Sequence, residues 1–226
     1  MSDATGRPIH VRYVQERSEA ADLLTTHAVD AGFLGADGYL ELEGQAGISL
    51  VAVPRIAGES KDAAVLVVRA SSSYESLKQI NGRRVGVRNA RSLSGYTYLY
   101  WLASREHVDV ARSLILVRAD SEEANVRALL SGQVDAVVVN RSQLALWDGA
   151  DFRVISQSPE SGMPPFVTGS TVDTETRAVM KRALLGMHPS DSEPHSVVDG
   201  FSEVATEDYA FARELAVFSQ TLQASR

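Results

Sequence analysis

Two serines and a glycine stand in the middle of the chain, where a loop leads from a predicted strand into a predicted helix. The stretch reads Val85-Gly-Val-Arg-Asn-Ala-Arg-Ser-Leu-Ser-Gly-Tyr96. A helix that begins at the carboxyl end of a strand points unpaired backbone N–H groups and the positive end of its dipole at one place, which favours an oxyanion. Ser92 and Ser94 add hydroxyl donors, and Gly95 lets a ligand approach the backbone. The alternative is that one serine is simply the N-cap of the helix.

Positive charge for such a site would come from Arg88 or Arg91 in the same loop. The chain as a whole is acidic, with 22 Lys and Arg against 29 Asp and Glu and a formal net charge of −7. One arginine and local backbone dipoles can still outweigh a diffuse negative field, so the net charge does not decide the charge of the ligand. No stretch concentrates Lys and Arg, and we therefore expect no nucleic-acid partner.

Short β-branched runs alternate with helical stretches along the chain, which is the α/β pattern. Ala63–Arg69 and Val134–Val139 are apolar almost without interruption and predict strands covered on both faces. Ile9–Val14 alternates and predicts an opening strand, and Ser18 is the predicted cap of a helix that follows it. These elements must hold the loop and helix that carry the serines.

The 226 residues, 44% of them hydrophobic, suffice for one large core or for two smaller cores joined by a hinge. Polar crossovers near Arg69 and Ser158 bracket a middle block of the chain. We therefore predict a discontinuous lobe I, residues 1–69 plus 160–226, and a lobe II, residues 70–159. No run approaches the roughly 18 consecutive apolar residues of a membrane span, so we expect a protein that is not integral to the membrane.

Several segments resemble the phosphonate, phosphite and phosphate substrate-binding proteins of ABC transporters, and they occur in that family's order. The segments are Val29–Gly35, Ser76–Val87, Ser92–Tyr96, Gly132–Val139 and Ser158–Phe166, followed by Gly200-Phe201, Asp208-Tyr209 and Arg213-Glu214. The resemblance implies an α/β fold of the two-lobed, type 2 periplasmic-binding-protein class, each lobe a mostly parallel sheet flanked by helices. It also implies a small anionic ligand held in the cleft between the lobes, without a cofactor or a metal.

The resemblance also implies roles for individual residues. The serine-rich helix start would grip phosphoryl oxygens, with Tyr96 next to it, and Tyr39 would be a wall of the site in lobe I. Asn140 stands where the family commonly presents an acidic residue to the ligand, which speaks against an aminoalkyl phosphonate. The candidate ligand-binding residues are Ser92, Ser94, Gly95, Tyr96, Tyr39, Asn140 and Arg91.

One departure from the family concerns the opening of the chain. Members normally begin with a further strand and helix, whereas this chain matches from the second strand. A homodimer that completes lobe I, a rearranged lobe or a shortened chain would each account for the difference. The polar segment Met1–Pro8 lacks the apolar core of a secretory signal and predicts a cytoplasmic protein. A chain from which a leader had been removed would instead be periplasmic or extracellular, with a transporter permease as a partner.

Three functions stay open at this point: a binding protein without covalent chemistry, a cytoplasmic biosynthetic enzyme on the same fold, and a sensing or interaction protein with a degenerate pocket. The sequence contains no cysteine, which excludes thiolate chemistry, and no dinucleotide, serine-hydrolase or zinc-protease motif. An enzyme would have Glu41 or Glu43, close to Tyr39, as its candidate general base. The two histidines at the ends of residues 188–195 indicate a solvated loop rather than a metal site.

Overall fold

The chain divides into two units, each with its own sheet and helices. A computed structural model describes residues 2–14, 17–45, 47–147, 149–188 and 196–224. Unit 1 comprises Met1–Lys61 and Ser161–Ala210, and unit 2 comprises Asp62–Glu160 and Phe211–Arg226. Residues 62–69 and the end of the chain from Phe211 were predicted to belong to lobe I, whereas they lie in unit 2.

The described residues form the following elements in chain order. They are α1 (Ser2–Thr5), α2 (Arg17–Thr25), β1 (Ala31–Phe33), α3 (Ala36–Leu42), β2 (Ser49–Ile56), β3 (Lys61–Asp62), β4 (Ala64–Arg69), β5 (Arg83–Val87), α4 (Tyr98–Glu106), α5 (Val110–Ser113), β6 (Leu114–Arg118), α6 (Glu122–Leu130), β7 (Ala136–Asn140), α7 (Arg141–Leu144), β8 (Phe152–Gln157), β9 (Ser161–Gly162), β10 (Phe166–Thr168), α8 (Thr174–Leu185), β11 (Val198–Ser202) and α9 (Ala210–Ala224). Single 3₁₀ turns occur at Leu77–Ile80 and Thr206–Tyr209, and a π-helical turn at Leu93–Thr97 precedes α4. None of the described helices is both long and apolar enough to cross a membrane.

Unit 1 is built on a four-stranded sheet in the order β1-β10-β2-β11. β10 lies between β1 and β2 and is antiparallel to both, so β1 and β2 run parallel to each other. β11 is antiparallel to β2 on its other side. The core of this unit includes Val51 and Phe201 from the sheet and Met180 and Leu184 from α8. The short strands β3 and β9 pair with each other.

Unit 2 is built on a five-stranded sheet in the order β6-β5-β7-β4-β8. The apolar runs predicted to be covered on both faces are confirmed as its central strands β4 and β7. Leu66 of β4 packs into a cluster with Leu99 of α4, and its neighbour Val67 packs into a second cluster with Val126 of α6. The two helices therefore cover opposite faces of this sheet.

The α/β class is confirmed, but the expectation of mostly parallel sheets needs correction, because all neighbouring strands of the unit 1 sheet pair antiparallel and the unit 2 sheet is mixed. Strands joined by a helix do run parallel: β5 is parallel to β6 and to β7. β4 is antiparallel to β7 and β8, just as β10 is antiparallel to its two neighbours. β4 and β10 each follow a passage of the chain between the units, so the crossover rule for helix-joined strands does not set their direction.

The predicted opening strand is wrong. Residues 8–14 form no strand, and the backbone of 9–14 makes no hydrogen bond within the described parts of the chain. The side chains of Ile9, Val11 and Tyr13 are 44%, 70% and 93% exposed. Alternation of apolar residues defines two faces of an extended segment, but only a neighbouring strand can turn that segment into part of a sheet.

Candidate functional site

The carboxyl ends of three parallel strands meet at one edge of the sheet in unit 2. Val87 of β5 stands opposite Arg118 of β6, and β7 runs parallel to β5 on the other side. In open α/β sheets, ligands bind outside the carboxyl ends of strands. β5 leads to the helix start at Ser92, and β6 leads to the start of α6 at its cap Ser121. β7 itself ends at Asn140. This edge is therefore the place to look for a site.

The helix after β5 begins with a tight, well-bonded turn. Ser92 Oγ accepts a hydrogen bond from Gly95 N at 3.0 Å, so Ser92 is the N-cap. Its carbonyl accepts from Tyr96 N at 3.1 Å and from Thr97 N at 3.0 Å, and the second of these bonds makes the turn π-helical. The N–H groups of Leu93 and Ser94, which lie between the cap and these bonded residues, have no acceptor within the helix. The cap therefore coexists with two N–H groups that a ligand can use.

Ser94 adds a hydroxyl to these two amides. Its side chain is half-buried, and Ser94 Oγ makes no hydrogen bond to any residue that the structure describes. A half-buried hydroxyl without a protein partner normally bonds to water or to a ligand. The helix start consequently offers three donors that no described residue of the protein uses.

Gly95 is required by the packing of Arg88. Arg88 N donates to Gly95 O at 3.1 Å, which closes the loop onto the helix. A Cβ placed on Gly95 would lie 2.6 Å from Arg88 Cγ, 2.9 Å from Arg88 Cβ and 2.9 Å from Ser92 Oγ. The absence of a side chain at Gly95 thus lets the Arg88 side chain lie across the helix start. Sequence reasoning named Gly95 for close approach of a ligand, and the structure adds this approach of the protein's own arginine.

Arg88 has an unusual environment for a half-buried arginine. Its Nε atom is buried and has no hydrogen-bond partner among the residues that the structure describes. Three other half-buried arginines of unit 2, Arg69, Arg141 and Arg153, each donate to a carbonyl or carboxylate oxygen at 3.0 Å or less. Arg91, the alternative source of charge in the same loop, is exposed. Burial, which the sequence does not show, distinguishes the two loop arginines.

Asn140, at the end of β7, is held by a carboxylate that sequence reasoning did not select. Glu122, in the first turn of α6 and 8% exposed, accepts from Asn140 N and from Asn140 Nδ2, both at 3.2 Å. Asp62 accepts from Ser142 Oγ at 2.6 Å and from Ser142 N at 3.1 Å at the same edge. Both carboxylates are therefore engaged by neighbouring donors of the protein.

The two candidate tyrosines are buried and hydrogen-bonded. Tyr96 is 2% exposed and donates to the Tyr100 hydroxyl at 3.2 Å. Tyr39, in unit 1, is 3% exposed and donates to Glu43 Oε1 at 2.9 Å. Its ring lies 4.8 Å from that of Tyr209, whose phenol pKa is raised by burial and by the neighbouring Tyr39.

The structure thus brings Ser92, Ser94, Gly95 and Tyr96 together at one helix start, with Asn140 at the same sheet edge. Tyr39 belongs to unit 1. Most of the 188–195 loop, including His195, lies outside the described residues. Across the part of the chain that is described, no three His, Asp or Glu side chains are placed to hold a metal ion.

The sequence as a whole matches the family model of the ABC transporter, phosphonate, periplasmic substrate-binding proteins over residues 1–209. The chain belongs to this family, and its fold is that of the periplasmic binding proteins. No curated protein is significantly similar to it in sequence.

Solved structures with the same fold have low sequence identity to this chain. A binding protein component of an ABC phosphonate transporter from Pseudomonas aeruginosa superposes with a TM-score of 0.73 at 20% identity, covering 97% of this chain and 78% of that one. PhnD1 from Prochlorococcus marinus, in complex with methylphosphonate, gives 0.75 at 13% identity, with 95% and 87% covered. A protein from Xanthomonas citri bound to ATP gives 0.73 at 15% identity, with 98% and 90% covered. At these identities the likeness establishes the fold.

Proposed function

We propose that this protein is the ligand-binding component of an ABC transport system and that it holds a phosphonate or a related oxyanion at the helix start Ser92–Gly95. A small tetrahedral anion supplies acceptors for the N–H groups of Leu93 and Ser94 and for Ser94 Oγ. Membership of the family supports a phosphonate-type ligand, and the family's description as periplasmic favours that compartment over the cytoplasm. A transporter permease is then the protein partner.

The observation that carries the proposal is the set of three unused donors next to an arginine at the carboxyl edge of a sheet. Amide N–H groups at a helix start stabilise negative charge through their own dipoles and through the helix dipole. Hydrogen bonds to a charged acceptor are worth about 1.5–3 kcal/mol each, roughly twice those between neutral groups. Non-covalent binding needs no further group at this place.

Neither of the two candidate general bases, Glu41 and Glu43, is placed in a way that supports the enzyme alternative. Glu41 is exposed to solvent, and Glu43 accepts a hydrogen bond from Tyr39. General bases normally lie in a cleft that tunes their pKa. We therefore favour binding without turnover.

The test is a thermal-shift titration with methylphosphonate, phosphite, phosphate and sulfate. A ligand at 100 times its Kd stabilises the folded state by about 2.7 kcal/mol, which for a chain of this length raises Tm by roughly 5–11 °C. Ser94→Ala should weaken binding by roughly 10- to 150-fold through loss of one hydrogen bond to a charged group.

Ser104→Ala is the matched control, because Ser104 lies at the other end of the same helix and its exposed hydroxyl donates to Trp101 O at 2.7 Å. This variant should bind like the wild type. If none of the four anions raises Tm, the proposal fails. Equal weakening by the two serine variants would place the anion away from the helix start.

A further inference from the structure

Arg88 carries a charge that the described protein does not compensate. Its Nε is buried without a partner among the described residues, and the carboxylates of Glu122 and Asp62 at the same sheet edge accept hydrogen bonds from Asn140 and Ser142. A buried polar atom without a partner is destabilising, and in a native structure it is commonly explained by an ion or a water molecule that binds there. An anion at the adjacent helix start would be such a partner.

The position of Arg88 is fixed by its contacts with the helix start itself. Arg88 N donates to Gly95 O at 3.1 Å, and Arg88 Cβ and Cγ occupy the space that a side chain at Gly95 would need. The beginning of the Arg88 side chain is therefore held against the same turn that presents the Ser94 donors. An anion bound at this turn would meet roughly half a positive charge from the helix dipole in addition to the full charge of the arginine.

We propose that Arg88 makes this site select doubly charged tetrahedral anions, such as phosphonates and phosphate, over singly charged ones of the same shape, such as sulfonates. The inference rests on the proposed function, since it concerns the same helix start. Methylphosphonate and methanesulfonate share the tetrahedral head and the methyl group, and differ by one negative charge once the phosphonate is fully ionised. The three amide and hydroxyl donors can bond to either ligand, whereas the guanidinium group attracts the doubly charged phosphonate more strongly than the singly charged sulfonate.

The experiment is calorimetric titration of wild type with methylphosphonate and with methanesulfonate, at a pH above the second ionisation of the phosphonate. The second charge should bring a preference of about 10- to 100-fold for the phosphonate, the equivalent of one charge-assisted hydrogen bond. Arg88→Met keeps the methylene groups that pack on Gly95 and removes the charge. It should lower phosphonate affinity by about the same factor, leave sulfonate affinity nearer to that of the wild type, and so abolish the preference.

Arg91→Met removes the same charge from an exposed position of the same loop. Solvent screens that charge, so this control should retain the preference. Arg88→Met should also unfold at a temperature no lower than the wild type, because the lost Nε has no partner in the described part of the protein; this checks that the variant is folded.

Three results would overturn the inference. Equal affinity of the wild type for the two anions, or a preference that survives Arg88→Met, would remove Arg88 from selection while leaving the helix-start site in place. Binding of neither anion would refute the proposed function as well.

Discussion

Replacing Gly95 by alanine sets two effects of opposite sign against each other. Alanine is the better helix former by roughly 0.8–1 kcal/mol, which by itself would stabilise the protein. The new Cβ would lie 2.6 Å from Arg88 Cγ and 2.9 Å from both Arg88 Cβ and Ser92 Oγ. Arg88 Cβ cannot rotate away, because it is attached to the backbone that bonds to Gly95 O.

The loop must therefore separate from the helix. Overpacking of this kind costs about 1–3 kcal/mol, and loss of the Ser92 cap costs about 1 kcal/mol more. After subtraction of the gain in helix propensity, Gly95→Ala should destabilise the protein by about 1–3 kcal/mol. Loss of the cap and displacement of Arg88 should also reduce methylphosphonate affinity by more than about tenfold.

Urea unfolding followed by tryptophan fluorescence measures this effect, since both tryptophans, Trp101 and Trp147, lie in unit 2. Gly38→Ala is the control, measured by circular dichroism: Gly38 is inside α3, and the nearest atom to its new Cβ is Leu34 Cδ2 at 4.0 Å. It should be neutral or stabilising by up to about 1 kcal/mol. A Gly95→Ala protein stabilised as much as the Gly38→Ala protein would refute the packing argument.

Two further predictions concern unit 1. A Cβ on Gly162 would lie 2.8 Å from Cζ of the fully buried Tyr209, so Gly162→Ala should cost about 1–3 kcal/mol; an unchanged Tm would contradict this. The Lys61 ammonium, at 2.7 Å, and then the Ala205 N–H lower the pKa of the Asp208 carboxyl. The contribution of the Asp208 carboxylate to the free energy of unfolding is complete above its unfolded-state pKa of about 3.9. It is lost as the pH falls through the folded-state pKa. Tm measured against pH should thus decline less steeply in acid for Asp208→Asn, by an amount equivalent to about 1 kcal/mol or less, and parallel curves would show no contribution.

The candidate site was partly predictable from sequence. The order of strand, loop and serine-rich helix is local, and the structure shows Ser92 as the N-cap at the end of β5. Whether Arg88 or Arg91 faces the helix depends on the path of the loop back to Gly95, which residue types do not reveal. The contact of Glu122 with Asn140 was missed, because it joins residues 18 apart on a helix and a strand.

The sequence by itself determined which segments are central strands of the unit 2 sheet. Continuous apolar runs became β4 and β7 because such side chains are stable only when both faces are covered. Local pattern also sufficed for the parallel direction of helix-joined strands. Only the tertiary structure decided that β4 and β10 are inserted antiparallel between such strands, and that residues 9–14 pair with none of the described strands. Which strands become neighbours depends on contacts between distant parts of the chain, and a local sequence pattern does not reveal those contacts.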